Sequence, residues 1–426
     1  MTQTLPLLIR AARVIDPASG FDQTADLLLV EGKIAAIGRP DAPSNARVID
    51  ADGLVAAPGL IDMHVHLREP GYEYKETISG GVAAAVAGGV TSVCPMANTK
   101  PVTDDPSVVG FVLDKARKAG LARVWPIGAI TKGLEGKELT EMGLLLRAGC
   151  VAFSDDGRAV MDSAVMRRAL DYARSFNALI IQHAEDANLA CGCMNEGPVS
   201  TRLGLPGIPN VSEEILVDRD IRLAALTGAR YHVAHISTTG AVEAVAAARA
   251  KGLPVSCEVA PHHFALNDEA VTGYVTNAKM APPLRSERDR LAMREALARG
   301  IIEAIATDHA PHDLDSKRVE FCHAANGVVG LETLLPIALE LVHDGVLTLS
   351  DCLAKMTCNP ARLLNIPRGT LKVGEAADVV IFDPNQPWTI DARKLHGTAR
   401  NTPFHGRPTR GKVHWTFVEG RSVFQG

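Results

Sequence analysis

Aromatic residues are scarce in this chain: 3 Trp, 5 Tyr and 10 Phe in 426 residues, 4% in all. A stacking platform for nucleic-acid bases needs aromatics interleaved with a basic patch, so none is expected. Charge of one sign is missing too. Lys plus Arg is 44 and Asp plus Glu is 49, a formal net charge of −5, which does not suit coating phosphate backbones or anionic membranes. No unbroken apolar run approaches the roughly 18 residues a membrane helix needs. The start, MTQTLPLLIRAARVID, has no basic stretch ahead of its apolar run, so a secretory leader is not expected. The cysteines (Cys94, Cys150, Cys191, Cys193, Cys257, Cys322, Cys352 and Cys358) form no CxxC pair. In a chain of this length they read as buried thiols rather than a disulfide framework, with a reducing cytoplasm as the default compartment. Nucleophile elbows (GxSxG), dinucleotide fingerprints (GxGxxG), phosphate-cradling P-loops and the helix-borne HExxH are all absent.

What is present has an ordinary globular balance, 46% hydrophobic and 22% charged, which excludes disorder, collagen and coiled coil as the main state. The two ends look alike. Residues 7–16, 26–38 and 47–56 are short β-rich runs, and the style returns at 377–384 and 412–424. EGK near the start and EGR near the end sit between apolar runs as hairpin turns would. One small β-sandwich domain built from both termini, 1–56 plus 366–426, is predicted. Between them, 57–365 alternates apolar runs with Ala-rich helical stretches such as 163–176 and 240–252. Eight strand candidates (60–68, 90–96, 123–131, 150–157, 179–186, 231–238, 254–263 and 302–312) argue for an α/β fold of the (β/α)8 TIM-barrel class. An open doubly wound sheet is the competitor. The long connections at 187–211 and 313–327 have the length of lids or binding loops.

Polar residues gather at the C-terminal ends of these runs, the rim where such barrels carry their sites. His64 and His66 end the first, Asp155 and Asp156 the fourth, His183 the fifth, His235 the sixth and Asp308 the eighth. A lone HxH pair is more often two satisfied interior histidines. With Asp156, His183, His235 and Asp308 the balance reverses: imidazole and carboxylate ligands from several strands suit a divalent ion, zinc first, one or two per chain. His64 and His66 point the same way by strand alternation. Asp156 can bridge two ions, because a carboxylate has two oxygens.

These residues name a family. PGLIDMHVHLREPG (58–71) resembles the opening signature of the cyclic amidohydrolases, and ATDHAPH (306–312) resembles the late signature of the dihydroorotases. GTLKVGEAADVVIFDP (369–384) and RNTPFHGRPTRGKV (400–413) resemble the family's returning β domain, so the resemblance covers essentially the whole chain. Hydantoinases, dihydropyrimidinases and allantoinases bridge their metals with a carboxylated lysine on the fourth strand. VAFSDDG has none, which matches the dihydroorotase branch with a bridging aspartate. The resemblance implies Asp156 as that bridge, because it stands 183 − 156 = 27 residues before His183, the spacing of that branch, with Asp155 as the fallback.

The resemblance implies reversible closure of N-carbamoyl-L-aspartate to L-dihydroorotate and water, in pyrimidine biosynthesis. It implies metal-activated hydroxide attack on the ring amide, with Asp308 as general acid and base as well as ligand. Arg68, on the same face as His66 by alternation, would fork the substrate carboxylate, with His66, Asn98 and His312 beside it. Asn277 in NAKMAPPLR, and Asn326 with Gly327, would hold the ring, although AlaAsnGly stands where Pro-Phe-Gly or Pro-Gly is the family pattern. His232, His262, His263 and His309 are expected in structural or supporting roles, and Cys94 and Cys257 as core thiols. The alternatives are another cyclic amidase of the hydantoinase or allantoinase type, or a non-catalytic subunit supporting aspartate transcarbamoylase. Partners implied are the small-molecule substrate, that transcarbamoylase and further copies of this chain. Nucleic acid and membrane are not among them.

Overall fold

A computed structural model describes residues 5–426. Residues 1–4, the first part of the stretch read for a leader, lie outside the described residues. No helix among the described residues is long and apolar enough to cross a membrane.

Parallel strands separated by helices build the centre. The strands are Leu60–Val65, Val90–Pro95, Arg123–Val124 with Ile127–Gly128, Ala152–Phe153, Leu179–Gln182, Arg230–Val233, Val255–Val259 and Ala304–Ile305. Each pairs in parallel with its sequence neighbour. The third is split at Trp125–Pro126, because proline cannot donate to the ladder. Its first half pairs with the second strand and its second half with the fourth, so the order is unbroken. Closure comes from a parallel bridge between Val65 and His309 and from the His66 N–H, which donates to the His309 carbonyl at 2.8 Å. The sheet is a closed barrel rather than an open doubly wound one.

Several strands are shorter than predicted. The fourth run, 150–157, contributes only Ala152–Phe153 to the ladder, and the eighth, 302–312, only Ala304–Ile305. The residues that follow leave the ladder at the rim. Helix starts are set by side-chain caps: Thr77 accepts from the Gly80 N–H, Asp105 from Ser107, and Thr238 from Ala241. Ile61, Met63, Cys94, Ile127, Leu179 and Ile181 pack with Leu363, Leu364 and Ile366, which follow the Met356 carbonyl that caps the start of the first strand. The barrel is thus filled and its N-terminal end closed.

The terminal segments form one eight-stranded sheet. Leu7–Asp16 bends at a bulge between Ile9 and Ala12; its first half pairs with Arg47–Asp50 and its second with Val55–Pro58. The bend wraps the sheet, sandwich-like, around one core that includes Ile9, Leu27, Ile49, Val379 and Phe417. Val55–Pro58 also pairs with Val379–Thr389, which joins the two ends of the chain. The predicted hairpin turns are present. Glu31–Gly32 (φ 49 and 77) and Glu419–Gly420 (φ 49 and 68) have the two positive φ angles of a type I′ turn. The Cα atom of Gly32 lies 3.4 Å from where a Cβ on Gly420 would stand, so the two turns touch, and a Cβ on Gly32 would meet the Glu419 carbonyl at 3.2 Å.

The connections at 187–211 and 313–327 are not bare loops. They carry the short helices Pro198–Leu203 and Leu314–Lys317. Cys193, Met194, Val199, Phe321 and Val328 form a separate apolar cluster there with Val271, Met280 and Leu284.

Candidate active site

Asp156 stands at the centre of the rim. Its Oδ1 lies 3.4 Å from His64 Nε2 and 3.6 Å from both His183 Nδ1 and His235 Nε2; its Oδ2 lies 3.4 Å from His66 Nε2. Asp308 Oδ1 is 3.0 Å from His66 Nε2 and 3.5 Å from His64 Nε2. All six predicted ligands are therefore gathered, and all are buried. Two overlapping triads, His64–His66–Asp308 and His64–Asp156–His235, offer ligand atoms within 4.8 Å of one another. Asp155 is elsewhere: it accepts from the N–H groups of Ile130 and Thr131 at 2.8 and 2.9 Å and from the Thr131 hydroxyl. It pins the end of the third strand and faces none of the histidines.

The donor set fits a divalent ion. Nitrogen and oxygen ligands about 2.0–2.2 Å from zinc in a tetrahedron stand about 3.4 Å from one another, the spacing seen around Asp156. His64 Nε2 and Asp156 Oδ1 are buried without a hydrogen-bond partner, a costly state for polar atoms unless an ion or water satisfies them. The opposite ring nitrogens are already engaged. His64 Nδ1–H donates to Glu258 at 2.6 Å, His183 Nε2–H to Glu185 at 3.1 Å and His66 Nδ1–H to Asn98 at 2.9 Å. Such carboxylate and amide partners fix the ring orientation and tautomer of a metal-ligating histidine. Burial opposes charge here, but the carboxylates win: His64 is held well above the ordinary imidazole pKa by Asp156 and Glu258. Asp308, likewise buried, is held well below the ordinary carboxylate range by His66 and His64.

Backbone strain concentrates at the same place. Arg68, His235 and Asp308 have φ of 63°, 33° and 48°, left-handed conformations that cost non-glycine residues on the order of 1–3 kcal/mol each. Strand alternation is not what brings Arg68 to the site, since the strand ends at Val65. The left-handed turn at Arg68 re-aims its side chain into the cleft instead.

Beside the cluster lies a cleft of about 860 Å3, lined among others by His66, Arg68, Asn98, His312, Asn326 and Gly327. Arg68 Nε donates to the Pro311 carbonyl at 3.1 Å, and its Nη2 lies 3.4 Å from His312 Nε2. Burial lowers the Arg68 pKa to about 10, against the pull of Asp308 and Asp156, so the guanidinium stays charged. Burial and then Arg68 lower His312 to about 3, which leaves that imidazole neutral. Gly327 (φ 131) packs so closely that an added Cβ would meet the Ala310 Cβ at 2.6 Å. Asn277, in contrast, does not line this cleft. It sits half-buried in the turn Thr276–Ala278, and the neighbouring Lys279 carbonyl accepts from the Gly327 N–H at 3.0 Å.

The remaining histidines have other partners. His232 Nδ1 is 2.7 Å from Ser256 Oγ, His263 Nε2–H donates to the Pro282 carbonyl at 3.0 Å, and His309 Nδ1 accepts from the Gly330 N–H at 3.1 Å. His262 is buried against His263, with ring centroids 4.4 Å apart. Burial pushes the Cys94 and Cys257 thiols well above their ordinary pKa. Sequence reasoning gave no role to Glu258, Glu185 or Asn401. Asn401 ties three parts of the site: its Oδ1 accepts from the His312 N–H, and its Nδ2 donates to the carbonyls of Ala310 and Gly327, each at 3.0 Å. The signal for Glu258 was a lone carboxylate inside an otherwise apolar run.

Comparison with known proteins agrees with this geometry. The amidohydrolase family model matches residues 55–423, and the chain belongs to that family. The L-hydantoinase (dihydropyrimidinase) of Arthrobacter aurescens superposes with a TM-score of 0.89 at 25% identity, covering 99% of this chain and 96% of that one. More specific are relatives named dihydroorotase. That of Syntrophus aciditrophicus is 50% identical over 99% of this chain and 100% of its own. That of Anaeromyxobacter dehalogenans is 53% identical over 98% of each. Within the amidohydrolases, the chain is a member of the dihydroorotase family.

Proposed function

We propose that the chain is a dihydroorotase, closing N-carbamoyl-L-aspartate reversibly to L-dihydroorotate with release of water in pyrimidine biosynthesis. One observation carries the reading: a carboxylate-centred cluster of four imidazoles opens into the same cleft as a half-buried, charged arginine. A cyclic amide that bears a carboxylate needs both. His64, His66, Asp156, His183, His235 and Asp308 would hold one or two divalent ions, zinc by ligand type. The bound ion supplies Lewis acidity and brings the pKa of a water ligand to roughly 7.

The chain's own groups do the rest. Read toward ring opening, Asp308 accepts the proton of the attacking water and hands it to the departing ring nitrogen. Such acid–base work is typically worth about 10²–10⁴ in rate. Arg68 pairs with the substrate carboxylate, and Asn98 and His312 flank it. Asn326 and Gly327 meet the ring, and the 276–279 turn that carries Asn277 supports them through the Lys279 carbonyl. The catalytic unit is residues 57–365, with 1–56 and 366–426 as the composite unit beside it. Residence in a reducing cytoplasm fits eight free cysteines. Assembly with aspartate transcarbamoylase, or of several copies of this chain, follows from the resemblance and is tested by sizing the chain alone and mixed with that enzyme.

The deciding experiment is opening of L-dihydroorotate by the purified chain, with metal content measured on the same sample. Turnover that chelation abolishes and zinc restores, without turnover of hydantoin or allantoin, is the expected result. Opening of hydantoin in place of dihydroorotate would overturn the reading.

A further inference from the structure

We propose that Lys279 and Lys317 are positioning residues that set the height of the Asn326–Gly327 segment over the cleft and thereby control affinity for the substrate ring. The inference deepens the function proposed above and rests on it.

Lys317 ends the short helix Leu314–Lys317 and is buried. Its Nζ donates to three backbone carbonyls: Ala325 at 2.6 Å, Thr276 at 3.1 Å and Lys279 at 3.2 Å. Lys279 is also buried, and its Nζ donates to the carbonyls of Cys322 and Ala324, both at 2.7 Å. No carboxylate is among these partners. The two Nζ groups therefore lace the 276–279 turn to 322–325, the stretch that leads directly into Asn326 and Gly327, and burial, then Lys279, lowers the Lys317 pKa to about 7. The lacing continues to the cleft wall. The Gly327 N–H donates to the Lys279 carbonyl at 3.0 Å, and His312 Nε2–H donates to the Asn326 carbonyl at 2.8 Å.

Burying an ammonium costs several kcal/mol, and an apolar side chain of similar volume would fill the space without that cost. What lysine alone offers is three donors on one atom at the end of a thin stem. That property joins two separate backbone segments to the lysine's own helix at a point, which is a geometric task rather than a packing one. The segment so fixed is the one that lines the cleft beside Ala310 and His312, so loosening it should weaken binding of the ring and leave proton transfer at Asp308 largely intact.

The test is steady-state kinetics on Lys317→Met and Lys279→Met, with L-dihydroorotate as substrate. KM is expected to rise about tenfold or more while kcat falls no more than about threefold, with metal content and circular dichroism unchanged. Lys317→Arg, which keeps several donors, should recover part of the loss. An unchanged KM in either folded variant would overturn the proposal, as would a loss confined to kcat. Hydrogen exchange on the unmodified protein needs no variant: the Gly327 amide should exchange as slowly as the barrel amides, and exchange at the rate of an exposed loop would also refute the strap. An unmodified chain that does not turn over dihydroorotate would defeat the proposed function instead, and the exchange measurement would still judge the strap.

Discussion

The barrel mouth and the composite sheet handle awkward backbone in opposite ways. In the sheet, left-handed Glu31 and Glu419 each precede a glycine in a turn, with exposed side chains, that of Glu419 paired with Arg123 at 2.6 Å. The strain is local and lies at the surface. At the mouth, left-handed Arg68 is half-buried, left-handed Asp308 and His235 are buried, and all three lie beside the clustered histidines; unpartnered atoms of His64 and Asp156 lie among them. Strain and bare polar atoms persist only where surrounding structure over-determines them. The mouth is therefore the part of the molecule that spends stability on chemistry, and the sheet and lower barrel are the parts that supply it.

Four substitutions break or sharpen that contrast, beginning with the largest effect. Asp308→Asn should cut dihydroorotate turnover by about 10²–10⁴ while thermal unfolding stays close to that of the unmodified chain. Retained activity would remove the proposed acid–base role. Phe417→Ala, in the sheet core, should do the reverse. It should cost about 3–5 kcal/mol of stability in denaturant titrations with kcat per folded molecule unchanged; a fall in kcat would show that the sheet reaches into the chemistry. Glu258→Gln keeps the shape behind His64 but removes the charge, so metal affinity by competitive chelation should drop about 10–100-fold.

The smallest effect is a slope. Burial raises buried Asp220 from 3.8 to about 6, against Arg219, Tyr231 and Gln182. The folded state then binds more protons than the unfolded state across that interval, so this group's contribution is fully present below 3.8 and is lost as pH rises through about 6. Asp220→Asn should flatten the fall in stability between those two values, read from melting temperature against pH. An unchanged slope would mean that Asp220 ionises as it does in the unfolded chain.

Much of this was legible because an apolar run that ends in His or Asp must find that residue a partner. The rule located all six clustered residues, and the alternation of runs located the barrel. Strand lengths were overread at 150–157 and 302–312, because residues that build the rim share the composition of the strands they extend. The split at Pro126 could have been read from proline's missing donor. Glu258 could not be paired with His64 from sequence, since 194 positions separate them. Lys279, Lys317 and Asn401 bond mainly to backbone carbonyls, which leave no trace in residue type.

The joining of the chain's two ends through Val55–Pro58 has a consequence for synthesis. On the ribosome that strand finds Leu7–Asp16 early, but its other edge stays open until Val379–Thr389 emerges, after the entire barrel has been made. An unpaired edge invites pairing with other chains. Nascent chains stalled before Val379 should be protease-sensitive and bind chaperones, and chains stalled well past Val418, clear of the exit tunnel, should be released from both. Equal sensitivity at the two lengths would show that the open edge is covered in some other way.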